Sequence, residues 1–332
     1  MLKPNIILNK ISKEQFLSQI KKRPFENLKN ILTVEDFFFK IRGHVFKMPK
    51  PGTPVVVLVS GGLDSIITWG ILLEKYKLRT YPLFIFRDAK RSKKEEKSVN
   101  YFTKYYSEKY PGLVSPLMKF STLLSPPEIV KALKNTKNYY HPKRLLEIID
   151  VERRALSDLP NFYPQRVLPF LHLFYCLVYM DYLYDHFLEK VTTVFTGIMS
   201  GDGIVVPSQT FTSMRNALLS ACSVTANYDL QYCSLAMEKE LGFWFDKSDF
   251  IKIGHQMGLP LEKTWTCYKS GKYQCGDSCL TCKNRVNSFV EAGVEDKTIY
   301  ISTIKNRILG SLKFRLKKIL VFFKLSNLIK NL

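Results

Sequence analysis

VVVLVSGGLDS, running from Val55 to Ser65, is the stretch whose reading decides the fold. Five apolar residues, four of them valine, lead straight into Ser60-Gly61-Gly62. A run of that kind is a strand buried on both faces, as in the middle of a parallel sheet. The paired glycines let the chain turn sharply. Leu63 to Tyr76 then reads as a helix with an apolar face. A strand, a glycine turn and a helix start bring several backbone N–H groups to the positive end of a helix dipole, which is an anion site. Ser60 and Ser65 add hydroxyl donors. Asp64 repels a phosphate held there, so its natural role is to hold Mg2+ bound to that phosphate.

The order S-G-G-x-D-S after a valine run resembles the signature of the PP-loop ATP pyrophosphatases. That resemblance implies binding of ATP and its cleavage between the α and β phosphates. Val59, Ser60, Gly61, Gly62, Leu63, Asp64 and Ser65 are then the expected nucleotide contacts. A Walker A loop does not fit, since no Gly-Lys-Ser/Thr follows.

The chain of 332 residues is 46% hydrophobic, enough for a sizeable core and one large or two ordinary domains. Its formal net charge of +21 suits nucleotide, RNA or anionic surfaces as partners. Lysine is spread along the whole chain, however, and nucleic acid is not favoured. The start, MLKPNIILNK, lacks the apolar core of a signal peptide. The longest apolar run, Val167 to Tyr184, carries His172, Asp181 and several tyrosines, and reads as a buried helix, so a membrane span is not expected. Four of the seven cysteines sit close together near the C-terminus. With no export signal a reduced cytoplasm is expected, which favours metal binding over disulfides.

Outward from the loop, Thr80 to Phe86 is a second strand, followed by Arg87 and a charged helix from about Ser92 to Tyr110. Two βα units in succession predict an α/β fold with a doubly wound, mainly parallel sheet. Ligands of such sheets lie at the C-terminal strand ends, which places Phe86 and Arg87 beside the nucleotide. Residues 113–160 are less regular and read as an insertion. A strand over Val191 to Thr196 closes in Gly197, and the loop from Gly197 to Ser208 falls where ligand contacts are expected. Gln209 to Ala226 is helical, and Asp246 or Ser248 caps a helix running to about Met257. Ahead of the loop, Ile11 to Leu32 is weakly helical. Thr33 to Met48, aromatic and β-branched around Gly43, reads as a short hairpin. Pro49, Pro51 and Pro54 mark a linker. Ile304 to Leu332 is a basic amphipathic helix that suits a membrane surface, an acidic partner or docking on its own core. The expected division is an extension over 1–52, a core domain over 53–300 and a tail over 301–332.

Cys267, Cys275, Cys279 and Cys282 follow C-x7-C-x3-C-x2-C. Four thiolates at short spacing are a tetrahedral Zn2+ set with no open position, so the metal is structural. Cys176, Cys222 and Cys233 sit in apolar helical contexts and read as core.

The loop near the front and this cluster near the back, with Thr264-Trp265-Thr266-Cys267-Tyr268, Gly271, Cys275-Gly276 and Arg285, resemble the 7-cyano-7-deazaguanine synthase (QueC-like) family from about Val55 to Gly293. The resemblance implies ATP-dependent adenylation of 7-carboxy-7-deazaguanine, then amide formation and conversion to a nitrile, with a structural zinc. It implies roles for Arg166 and Lys247 beside Asp64 and Ser65 in catalysis, for Gly197 at the nucleotide, and for Tyr163, Arg166, Asp202, Pro207 and Ser208 at the substrate. Departures lie on the substrate side. The family's Pro-Gly-Arg-Asn is Pro164-Gln165-Arg166-Val167 here, its Tyr-Pro-Asp is Val206-Pro207-Ser208, its Tyr-Gly-Gln after the second strand is Phe86-Arg87-Asp88-Ala89, and the step from Cys275 to Cys279 holds one extra residue. That drift favours a branch encoded in anti-phage systems, which is implied to join a deazaguanine acid to an amine such as a protein N-terminus. A protein acceptor and a homodimer are accordingly among the expected partners. A tRNA-modifying PP-loop enzyme and a non-catalytic scaffold remain the alternatives.

Overall fold

The computed structural model describes residues 8, 10–86, 91–121, 168–204, 206–269 and 271–304. Among them, five parallel strands form one sheet: β1 (Pro54–Leu58), β2 (Arg79–Phe86), β3 (Met118–Ser121), β4 (Thr193–Thr196) and β5 (Gln231–Ser234). Their spatial order is β3-β2-β1-β4-β5. The chain therefore winds outward from β1 through β2 to β3, then returns to β1's other side for β4 and β5. The order reverses between β1 and β4, and ligands of open parallel sheets bind at such a switch point.

The valine run makes β1 the centre because each of its faces meets a core. Val55, Val57 and Val59 point into one apolar cluster and Val56 and Leu58 into another. The first cluster is closed by α3 (Leu63–Glu74), α4 (Ser92–Lys109) and α7 (Lys247–Gln256). Every residue of α3 but Asp64 and Glu74 is buried. The second is closed by α1 (Lys13–Lys21), α2 (Leu28–Arg42), α5 (Leu168–Phe187) and α6 (Phe211–Thr225). A last helix, α8 (Leu280–Ala292), follows the cysteine cluster and packs on α7.

The doubly wound parallel sheet is the expected one, and several elements differ from expectation in detail. The hairpin expected over Thr33 to Met48 is the second half of α2. Its buried residues Ile31, Val34, Glu35 and Phe38 recur at helical spacing, and Gly43 ends the helix in the left-handed conformation with φ of 73°. The aromatic residues belong to a helix face instead: Phe38 is buried in the second cluster and Phe37 lies against Tyr228. β3 lies in the stretch expected to be irregular, and β5 has no counterpart in the expected elements. Both are four-residue edge strands, too short for alternation to register. Cys233 consequently sits on a strand, not a helix. α5 is half buried: Leu173, Cys176 and Met180 enter the core, whereas Phe174 is 56% exposed. No helix among the described residues is long and apolar enough to cross a membrane. Arg87, Tyr163, Arg166 and the basic tail from residue 305 onward lie outside the described residues.

Candidate active site

The loop between β1 and α3 is built by its own side chains. Ser65 Oγ accepts from the Ser60 backbone N–H at 3.0 Å, lies 3.0 Å from Ser60 Oγ and reaches the Gly62 carbonyl at 3.3 Å. Ser65 therefore braces the turn. Gly61 has φ of 76°, and a Cβ there would meet the Glu95 carbonyl oxygen at 2.5 Å. Only glycine suits both the backbone and the space. Its carbonyl accepts twice, from Ser98 Oγ at 2.9 Å and from the Trp265 backbone N–H at 2.8 Å. Gly62 is the N-cap of α3, and no side chain caps that end. First-turn amides left to find another acceptor suit an incoming phosphate.

Val59 and Leu63 are buried core residues, and their side chains face away from the turn's open side. Val59 extends β1 by donating to the Leu83 carbonyl at 3.0 Å. Only their backbone borders the turn. Phe86 ends β2 at the same edge of the sheet. Gly197 follows β4 and is pressed against α3: a Cβ there would lie 2.7 Å from Ser65 N and Cα. The two loops at the switch point thus touch through Gly197 and Ser65.

Asp64 and Lys247 meet in this crevice. Lys247 Nζ is 3.0 Å from Asp64 Oδ2. Asp246 caps α7, accepting from the Asp249 N–H at 3.0 Å, and so points the next residue, Lys247, at the loop. Asp64 Oδ1 is buried with no hydrogen-bond partner. An anionic oxygen in that condition is costly unless a cation or donor arrives, which fits the Mg2+ of a bound nucleotide. Burial pushes the Lys247 ammonium down, but Asp64 and Asp202 more than offset it and hold it above its ordinary value. Asp202 begins a short 3-10 turn after Gly197 and accepts from the Met199 N–H at 2.9 Å. Burial pushes its carboxyl up to about 6, against the pull of Lys247 and with the help of the Asp64 charge. Pro207 and Ser208 form the next turn, leading into α6, with Ser208 buried. The structure therefore brings together Asp64, Ser65, Gly197, Asp202 and Lys247.

The cysteine cluster begins two residues after Trp265, whose backbone N–H meets this loop at the Gly61 carbonyl. The four sulfur atoms of Cys267, Cys275, Cys279 and Cys282 all fall within 4.8 Å of one another. Cys267 and Cys279 are 4.0 Å apart, and Cys275 and Cys279 are 3.3 Å apart. Zinc–sulfur bonds of about 2.3 Å in a tetrahedron need sulfurs roughly 3.8 Å apart, so the set fits. Two buried side chains that spacing rules do not flag hold it. Gln274 Oε1 accepts from Thr266 N–H at 3.0 Å and Cys267 N–H at 3.2 Å, while its Nε2 donates to the Thr264 carbonyl at 2.9 Å. Arg285 donates to Thr264 Oγ1 at 2.7 Å, Leu261 O at 2.9 Å and Thr298 Oγ1 at 2.8 Å. The other cysteines are buried, and burial pushes the thiols of Cys176, Cys222 and Cys233 up.

A family model described as "Queuosine biosynthesis protein QueC" matches residues 54–293. The chain is 27% identical over 258 residues to the 7-cyano-7-deazaguanine synthase of Thermoplasma acidophilum, covering 74% of this chain and 91% of that protein. It is also 27% identical over 264 residues to the enzyme of the same name from Thermoplasma volcanium, covering 76% and 92% respectively. Among solved structures, the U34-tRNA thiolase NcsA from Methanococcus maripaludis with its [4Fe-4S] cluster overlays with a TM-score of 0.31 at 12% identity, covering 79% of this chain and 72% of that one.

Proposed function

Because this chain belongs to the QueC family, matched over residues 54–293, we propose that it adenylates a 7-carboxy-7-deazaguanine-type carboxylate at the expense of ATP and passes the acyl group to nitrogen. A carboxylate is a poor electrophile, and joining it to AMP gives it a good leaving group. The α3 amides and the Ser60 hydroxyl bind the departing pyrophosphate oxygens, where preorganised donors act most strongly. Asp64 would hold the nucleotide's Mg2+, which when bound supplies charge neutralisation to the phosphate chain. Lys247 releases Asp64 when the nucleotide enters and places its ammonium on the phosphate chain. Asp202 lies on the substrate side, with the turn of Pro207 and Ser208 closing the pocket wall. The four cysteines hold a structural Zn2+.

The observation that carries this reading is the crevice between the β1 and β4 loops, where the uncapped α3 end and the unpartnered Asp64 Oδ1 face Lys247. A phosphate chain and its cation satisfy both at once. A scaffold with no nucleotide would leave that oxygen buried and unpaired. Sulfur transfer to tRNA would need a sulfur carrier, and among the cysteines outside the cluster burial holds the thiols of Cys176, Cys222 and Cys233 up.

The amine acceptor is the finer part of the proposal. The Val206-Pro207-Ser208 turn in place of the family's Tyr-Pro-Asp supports ligation to a protein amine ahead of nitrile formation. Incubation with ATP, Mg2+, the acid and either ammonium or co-purifying proteins, followed by mass spectrometry, separates the outcomes. A protein adduct at the mass of the acyl group supports ligation; free nitrile with no adduct replaces it with the synthase reaction.

A further inference from the structure

Gly61 is the one loop residue in the left-handed conformation, and its carbonyl is held from two sides. One donor, Ser98 Oγ, comes from α4. The other, the backbone N–H of Trp265, comes from the segment that enters the cysteine cluster two residues later at Cys267. That segment has few ways to move. Its Thr264 carbonyl, Thr266 N–H and Cys267 N–H are all bonded to the Gln274 side chain, and Gln274 directly precedes the second cysteine of the cluster. The Trp265 indole N–H donates to the Cys267 carbonyl at 2.8 Å. Arg91, at the start of α4, lies 3.9 Å over the Tyr268 ring and ties the segment to the helix that carries Ser98.

We propose that the four-cysteine knuckle, through Gln274 and the Trp265 main chain, sets the shape of the phosphate loop, so that metal occupancy there controls nucleotide affinity. Gln274 and Trp265 are positioning residues in this account, since neither touches the reacting groups. With metal bound, Cys267 and Cys275 are fixed, Gln274 bridges them, and the Trp265 N–H is aimed at Gly61. Without it, the segment from Thr264 to Cys267 keeps its Arg285 bonds at Thr264 and Thr266 but loses the fixed cysteines at its far end, and the Trp265 N–H is held less firmly on Gly61. The coupling rests on these hydrogen bonds alone; its consequence for affinity rests on the function proposed above.

The test uses the full chain, metal-loaded, with metal content measured for each variant. Gln274→Ala keeps all four cysteines, and Trp265→Phe keeps the main-chain N–H and an aromatic ring while removing the indole N–H and the smaller of the two fused rings. Hydrogen exchange of the amides at 60–63 should run at least tenfold faster in Gln274→Ala and about threefold faster in Trp265→Phe, while the β2 amides stay as protected as before. Chelating the metal from the unaltered protein should reproduce the Gln274→Ala pattern. The α,β-methylene analogue of ATP with Mg2+ should bind Gln274→Ala about tenfold more weakly. Loop exchange unchanged in both variants overturns the coupling. Exchange that rises as stated, in a protein whose unaltered form binds no nucleotide analogue, upholds the coupling and overturns the proposed function instead.

Discussion

Asp64 is the residue on which the chemistry turns. It sits one position inside α3, its Oδ2 is paired with Lys247 and its Oδ1 is unpaired. Asp64→Asn keeps the shape and removes the charge, and should lower the rate of AMP formation by at least about a hundredfold, the scale of losing one preorganised electrostatic group. Lys247→Met should cost about 10² to 10³ in kcat on the same ground, measured in the same discontinuous assay. Asp202 offers a pH test. Its folded-state carboxyl is raised to about 6 from 3.8, chiefly by burial. A raised carboxyl binds its proton more tightly in the folded state, so its contribution to stability is present at low pH and lost as pH climbs from about 4 through 6. Asp202→Asn retains an oxygen for the Met199 N–H and should therefore melt progressively higher than the unaltered protein across that window, in magnesium-free buffer. A constant difference in melting temperature would show that Asp202 does not titrate there.

At the scale of elements, the β1–loop–α3 unit was legible in the sequence because each part has its own physical mark. An uninterrupted apolar run, mostly valine, is buried on both faces, Gly61 must turn, and Asp64 follows at the helix start. The cysteine knuckle was legible for a similar reason, since four thiols at short spacing leave few arrangements. Ser98 and Gln274 were not legible, and Trp265 stood out only as part of the family resemblance: a hydroxyl on a lysine-rich helix and a backbone N–H carry no pattern, and their partners are fixed only by the fold. α2 was misread because aromatic residues suit a strand as well as a helix face, and only the spacing of Ile31, Val34 and Phe38 decides. Two outcomes belong at this scale. Gly61→Ala forces a Cβ to within 2.5 Å of the Glu95 carbonyl at a positive φ, and should destabilise by more than about 1 kcal/mol in chemical denaturation while weakening nucleotide binding. Metal analysis should give about one zinc per chain, and Cys279→Ser should unfold the region around the knuckle, because a structural zinc supplies about 10 kcal/mol or more. Full activity in a metal-free preparation would contradict this.

Across the whole molecule, the segment ahead of the loop is welded to the core by charge. Arg215 on α6 is buried between Glu35 on α2, at 3.1 Å, and Glu238 after β5, at 2.6 Å. Lys239 also pairs with Glu35. Glu26 caps α6, accepting from the Phe211 and Thr212 N–H groups at 2.8 and 2.9 Å. Removing one member of such a network strands the others without partners, and Arg215→Met should cost about 3–5 kcal/mol, read from urea unfolding. Deleting residues 1–43 should be at least as damaging, which makes α1 and α2 part of the fold that presents the site. The sheet they support places the β1 and β4 loops at its switch point, and the family match spans that whole unit. The most direct test of the central claim is to mix the metal-loaded protein with ATP, Mg2+ and 7-carboxy-7-deazaguanine and to identify the nucleotide products by mass. AMP and pyrophosphate should form in equal amounts, and only when the acid is present. Release of ADP and phosphate, or no consumption of ATP by the folded protein, would contradict it.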